Sequence, residues 1–127
     1  MGALAVNHDP ANAAVVRQSI AADLSSRDVS ATAIDDIVLV ASELVSNAVV
    51  HTSHDVDDAL DVAWEIQPDC VLIKVIDASP DLPRRRSTNE TDTRGRGLSI
   101  VAALALDWGV RRTANGKQVW ARVPLTA

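Results

Sequence analysis

Two apolar runs of eight residues, ALDVAWEI at Ala59–Ile66 and CVLIKVID at Cys70–Asp77, are separated by Gln67-Pro68-Asp69 alone. A link this short cannot carry a crossover between parallel strands, so the pair predicts an antiparallel hairpin. Val, Trp, Ile and Leu alternate with acids or Lys, which gives each strand one face suited to burial. A lone hairpin is marginal in water, and this one therefore needs further strands or helices against it.

The rest of the chain supplies them. Met1–Val6 is expected as a short edge strand, and Asn7-His8-Asp9-Pro10 combines an acid for an N-cap with a proline suited to a first helical turn. A first helix is expected from Ala11 to about Ser26, with Ala14, Val15, Ile20, Ala21 and Leu24 as its apolar positions. Arg27-Asp28-Val29-Ser30 breaks it. Ser30 or Thr32 caps a second helix, from about Ala33 to His51, whose broad apolar face is Ile37, Val40, Ala41, Leu44, Val45, Ala48 and Val49. Past the hairpin, residues 78–96 have no periodicity and carry Arg84, Arg85 and Arg86. A stretch of that length in a small domain is either functional or disordered. Gly95-Arg96-Gly97 opens a third helix, LSIVAALAL. Asp107-Trp108-Gly109 is then expected to turn into a strand, GVRRT, and Ala114-Asn115-Gly116 into the closing strand KQVWARVPL.

At 127 residues the chain is expected to form a single domain, residues 1–127, with one core. That core must be built from small aliphatics, because Trp64, Trp108 and Trp120 are the only aromatic residues. One cysteine, Cys70, excludes an intrachain disulfide and a Cys-based metal cluster within the chain. Neither a signal peptide nor a membrane span is evident, so a cytoplasmic protein with no membrane contact is expected. A net charge of −5 argues against direct nucleic-acid binding through phosphates. The charge is uneven, however. Residues 1–69 carry two Arg against twelve acids, while residues 70–127 carry ten Lys and Arg against five acids, so any polyanion contact belongs to the second half.

The chemistry is concentrated in a few positions. Within SELVSNAVVH, Glu43, Asn47 and His51 fall at i, i+4 and i+8 and form one row, with Glu43 and Asn47 about 6 Å apart along the helix axis. An amide oxygen there suits a hard cation that keeps waters and shares its site with phosphates, and the carboxylate suits a base beside it. A solvated polar stripe is the competing reading. Asp77, closing an apolar strand, is placed to accept a charge-assisted hydrogen bond from a base amine, or else simply ends the strand. Gly95-x-Gly97 at a helix start offers backbone N–H groups and a positive dipole end to phosphate. His51-x-x-His54 with Asp55, Asp57 and Asp58 has no clean ligand spacing and reads as a solvated loop. No hydrolase elbow, Walker-type loop or Cys-x-x-Cys is present.

Taken in order, these elements resemble the GHKL ATPase and kinase superfamily, the Bergerat fold, and within it the anti-sigma-factor serine kinases and histidine-kinase-like ATP-binding proteins. ELVSNAVVH matches the N box, VIDASPDLP stands at the first glycine box and GRGLSIV matches the second. The resemblance implies an α+β two-layer sandwich, a mostly antiparallel sheet with helices on one face, and a nucleotide lid at about residues 78–96. It implies ATP and Mg²⁺ as cofactors. Asn47 would ligate the metal, Glu43 would be the catalytic base, Asp77 would read adenine, and Gly95, Arg96, Gly97 and Leu98 would line the phosphates. It further implies a serine kinase that binds a sigma factor, phosphorylates an anti-sigma antagonist and pairs as a homodimer. The first glycine box lacks its glycines, since Asp77 is followed by Ala78, Ser79, Pro80 and Asp81, and Lys117-Gln118 replaces a hydroxyl near the last strand. These departures favour the alternative, a non-catalytic binding module.

Overall fold

The computed structural model describes residues 2–7, 9, 11–50, 59–77, 99–113 and 116–125. Along the chain these form β1 (Gly2–Asn7), α1 (Asn12–Ser25), α2 (Ala31–Val50), β2 (Ala59–Ile66), β3 (Cys70–Asp77), a helical stretch α3 at residues 99–104, β4 (Asp107–Thr113) and β5 (Gly116–Pro124). The predicted hairpin is β2 and β3, antiparallel in register from Leu60 opposite Asp77 to Ile66 opposite Val71. The other strands extend it to the five-stranded order β1-β2-β3-β5-β4, with antiparallel pairing throughout. The first strand lies at an edge, as its sequence suggests.

One face of this sheet is covered. Leu60, Val62 and Trp64 of β2, Val71, Ile73 and Val75 of β3, and Val119, Ala121 and Val123 of β5 join Val16, Ile20 and Leu24 of α1 and Ile37, Val40, Leu44 and Val45 of α2 in a single core. Their alternates, such as Ala63, Lys74 and Trp120, remain partly accessible on the opposite face. This is the α+β arrangement with helices on one side. Each fully covered Val, Leu or Ile contributes roughly 1.5–3 kcal/mol of apolar transfer, which makes the helix–sheet interface the main favourable term.

Helix boundaries follow local chemistry. Ser30 is the effective cap of α2, its Oγ accepting from the Ala33 N–H at 3.2 Å. Thr32 lies inside the helix. Asp9 caps the turn ahead of α1, its Oδ1 accepting from the Ala11 N–H at 3.0 Å. At the other end of α1, Asp28 adopts φ 64°, and the Val29 N–H donates to the Leu24 carbonyl while the Asp28 N–H donates to that of Ser25. That pair of bonds is a Schellman ending with Asp in the left-handed position usually held by glycine.

Three expectations are corrected. Ile20 and Leu24 of α1 are buried as expected, but Val15 is 43% exposed and Val16 takes its place, giving Val16, Ile20 and Leu24 at four-residue spacing. Helical geometry in the third helix ends at residue 104, two short of Leu106, and the Leu106 N–H donates to the Arg122 carbonyl at 2.7 Å. Asp107-Trp108-Gly109 is strand rather than turn, paired with Arg122, Ala121 and Trp120 of β5. Gly109 serves close approach here, because a Cβ on it would lie 2.9 Å from the Trp120 ring. Asp107 meanwhile takes a two-pronged contact from Arg122, with Nε to Oδ1 at 2.7 Å, which holds its carboxyl below the ordinary range and raises the guanidinium.

Trp64 ties three elements together. Its Nε1 donates to Asp23 Oδ2 at 2.8 Å, Arg27 Nε donates to Asp23 Oδ1 at 3.1 Å, and the indole covers Gly2 so closely that a Cβ there would sit 2.3 Å away. The Trp64 hydrogen bond, then Arg27, lower the Asp23 pKa against the opposing effect of burial. Because the folded value is depressed, this contribution is full above the ordinary aspartate range near pH 4 and is lost as pH falls through the folded value. Asp23→Ala is expected to cost about 1 kcal/mol at pH 7. In urea denaturation the gap to the wild type should narrow steadily below pH 4, and a gap that stays constant to pH 2 would refute the contact.

Candidate functional site

The second helix carries Glu43 and Asn47 on the border of its buried face. Leu44, Val45 and Ala48 are buried against the sheet, whereas Glu43 and Asn47, each one residue ahead of a buried neighbour, are half-buried. The helix packs on α1, β3 and β5. Ser42, beside Glu43, is buried at 8% exposure, and its Oγ accepts from Arg17 Nη1 at 3.1 Å. That bond pins the rotation of α2 against α1 and so sets which way Glu43 and Asn47 are presented. Ser42 was not singled out in the sequence, although a small hydroxyl inside an apolar run is the available signal.

Asp77 ends β3 on the helix-facing side. It follows Val71, Ile73 and Val75 in alternation and is 4% exposed, the one buried charged side chain among the described residues. Leu60 of β2 and Lys117 of β5 stand opposite it in the two ladders. A carboxylate is costly to bury and is kept where it has hydrogen-bonding work, which separates Asp77 from an ordinary strand-ending acid at the surface. It shares the helix-facing side of the sheet with α2.

His51, Gly95, Arg96, Gly97 and Leu98, together with the lid at about residues 78–96, lie outside the described residues. Just beyond them, Val101 is fully buried in the common core, so the stretch following GRGL is anchored on the same side of the sheet. Among the described residues no group of three or more His, Cys, Asp and Glu is placed to hold a metal. Asn47 offers a half-buried amide and Asp77 a buried carboxylate, both on elements of the helix-facing layer. A cavity of about 210 Å³ lined by Ala63, Trp64, Glu65, Leu72 and Lys74 contains none of these residues. Cys70 is buried and hydrogen-bonded through Sγ to Gln67 Oε1, and burial pushes its thiol pKa up, which fits a packing role.

A five-stranded antiparallel sheet with helices on one face makes this a two-layer α+β domain, with Asp77 buried at the end of β3. The sequence matches the histidine kinase-like ATPase domain family over residues 6–123, and the chain belongs to that family. Membership implies nucleotide binding. Among solved structures it resembles the crystal structure of the RsbU and RsbW domains of Rv1364c from Mycobacterium tuberculosis, with a TM-score of 0.67 at 23% identity. The likeness covers 97% of this chain and 32% of that one, so the chain spans about a third of the longer protein. At this identity the similarity is one of fold. No curated protein sequence matches the chain. Among the described residues, no helix is long and apolar enough to cross a membrane.

Proposed function

We propose that the chain is an ATP- and Mg²⁺-dependent serine kinase of the anti-sigma type, cytoplasmic, which binds a sigma factor and phosphorylates a serine on an anti-sigma antagonist. The observation that carries this reading is a buried Asp77 on the side of the sheet that α2 covers, with Glu43 and Asn47 half-buried on that helix, in a chain of the histidine kinase-like ATPase family. The resemblance to a structure containing an RsbW domain supports the choice of partner class.

In this reading Asp77 accepts a hydrogen bond from the adenine amine and so orients the base. Asn47 would hold the magnesium ion through its side-chain oxygen, and Gly95, Arg96, Gly97 and Leu98 would bind the phosphates. ATP supplies the γ-phosphoryl group when bound. Glu43 takes the proton from the serine hydroxyl of the antagonist. Phosphoryl transfer depends mainly on positioning and charge neutralisation, so a small set of groups suffices.

Thermal-shift titration with ATP, ADP and GTP, each with and without Mg²⁺, tests the reading. The wild type is expected to gain stability with ATP and Mg²⁺ in proportion to saturation, about 2.7 kcal/mol at a hundredfold excess over Kd. Asn47→Ala should lose the magnesium-dependent part. Equal ATP shifts with and without Mg²⁺ in both proteins would remove the metal role.

The second reading is a non-catalytic module, favoured by the absence of glycine at Ala78-Ser79-Pro80-Asp81 behind Asp77. A wild-type protein that binds ATP yet transfers no phosphate to any candidate antagonist would establish it.

A further inference from the structure

The β4 strand ends the sheet and pairs with β5 alone, so the backbone groups along its other side have no partner strand within the sheet. Its register with β5 runs from Asp107 to Thr113 without a bulge, and no proline interrupts it. On the helix-facing side α2 packs on β3 and β5, whereas Trp108 and Val110 of β4 are 36% and 45% exposed and Leu106 just ahead of them is 58% exposed. Edge strands are commonly protected by a bulge, a proline or charges placed along them. From Leu106 to Val110 the one charged residue is Asp107, which Arg122 already holds. The free charges are gathered at the far end of the strand instead. Arg111 and Arg112 are exposed and neither is ion-paired to a described residue. Arg112 also stands opposite Lys117, a like-charge pair across the ladder.

We propose that β4 receives an extended segment of another protein, which adds antiparallel as a sixth strand and carries an acidic pair followed by alternating apolar residues. Main-chain hydrogen bonds to the open edge supply the attachment, and side chains supply the choice. Antiparallel addition continues the pattern of the sheet, and in that direction the first two residues of the segment stand opposite Arg112 and Arg111. Acids there make opposite-charge pairs, one on each face, and offset the repulsion between Arg112 and Lys117. The third and fifth residues stand opposite Val110 and Trp108, and the seventh meets Leu106, so apolar side chains at these places cover the exposed strip. The fourth stands opposite Gly109, where the Trp120 ring fills the space a side chain would need, and a β-branched residue there rests against the indole.

This docking depends on no nucleotide chemistry, and its failure would leave the kinase reading untouched.

Titration of the whole chain with a synthetic capped peptide, Asp-Asp-Val-Thr-Val-Thr-Leu, tests it, read by the protein's tryptophan fluorescence, to which the peptide adds nothing. Saturable binding that weakens as salt is raised is expected. Arg111→Glu and Arg112→Glu together should weaken it at least about tenfold, and a peptide that opens on Lys-Lys should bind this variant and not the wild type. Both positions are exposed, and circular dichroism confirms that the variant folds. Backbone pairing is read separately. Alternate N–H groups of an added strand point to β4, so N-methylation of the third and fifth peptide residues, or of the fourth and sixth, should abolish binding for one set and spare it for the other. No saturable binding, binding indifferent to the double charge reversal, or an equal response to both methylated sets would overturn the proposal. Release of the peptide in step with dimer formation in sedimentation velocity would overturn it too, giving the edge to a second copy.

Discussion

Replacing Glu43 by Ala is expected to cut phosphate transfer to an antagonist serine by about 10²–10⁴-fold, the range associated with removing a positioned general base. ATP affinity should stay largely intact, because Glu43 is assigned to the serine hydroxyl and not to the nucleotide. Fold stability should hardly change. Glu43 is only half-buried and belongs to the border of α2, so its truncation opens no cavity in the core. Quench-flow or radiolabel transfer assays beside equilibrium ATP binding check the split. A parallel fall in binding and transfer would reassign Glu43 to nucleotide binding.

The adjacent residue is expected to behave in the opposite way. Leu44 is fully buried between the helices and the sheet, and Leu44→Ala should cost about 2–5 kcal/mol through lost transfer energy and the cavity left behind. With total stability of order 5–15 kcal/mol in a domain of this kind, that loss would move the urea midpoint by a large fraction of its value. Any loss of ATP binding in this variant should track the unfolded fraction and be restored under stabilising conditions. A midpoint shift equivalent to under about 1 kcal/mol would contradict the packing of α2 described above. Two neighbours on one helix would thus separate chemistry from stability, because 100° of rotation carries a side chain from the core to its border.

The candidate site was partly legible for the same reason. Glu43 and Asn47 interrupt a strong helical period, and Asp77 ends a run of alternating strand residues, so all three stand out against a local pattern. The burial of Asp77 could not be read that way, since the same acid in the same run would be exposed if no helix covered that face. Nor could the Arg17–Ser42 bond, which joins residues 25 apart, or the Trp64–Asp23 bond, which spans 41. Val15 was expected inside because a Val-Val pair offers two phases for the α1 stripe. The layer that receives the helix selected Val16.

By itself the sequence determined the β2–β3 hairpin, the apolar face of α2 from Ile37 to Ala48 and the break at Arg27-Asp28-Val29-Ser30, because each depends on residues within a few positions of one another. Tertiary structure decided that β5 lies between β3 and β4, that Asp107-Trp108-Gly109 is strand instead of turn, and that Trp64 bridges α1 and β1. Those outcomes depend on contacts between distant segments, where ladder hydrogen bonds, a ring lying over a glycine and an Arg–Asp fork outweigh local turn preference.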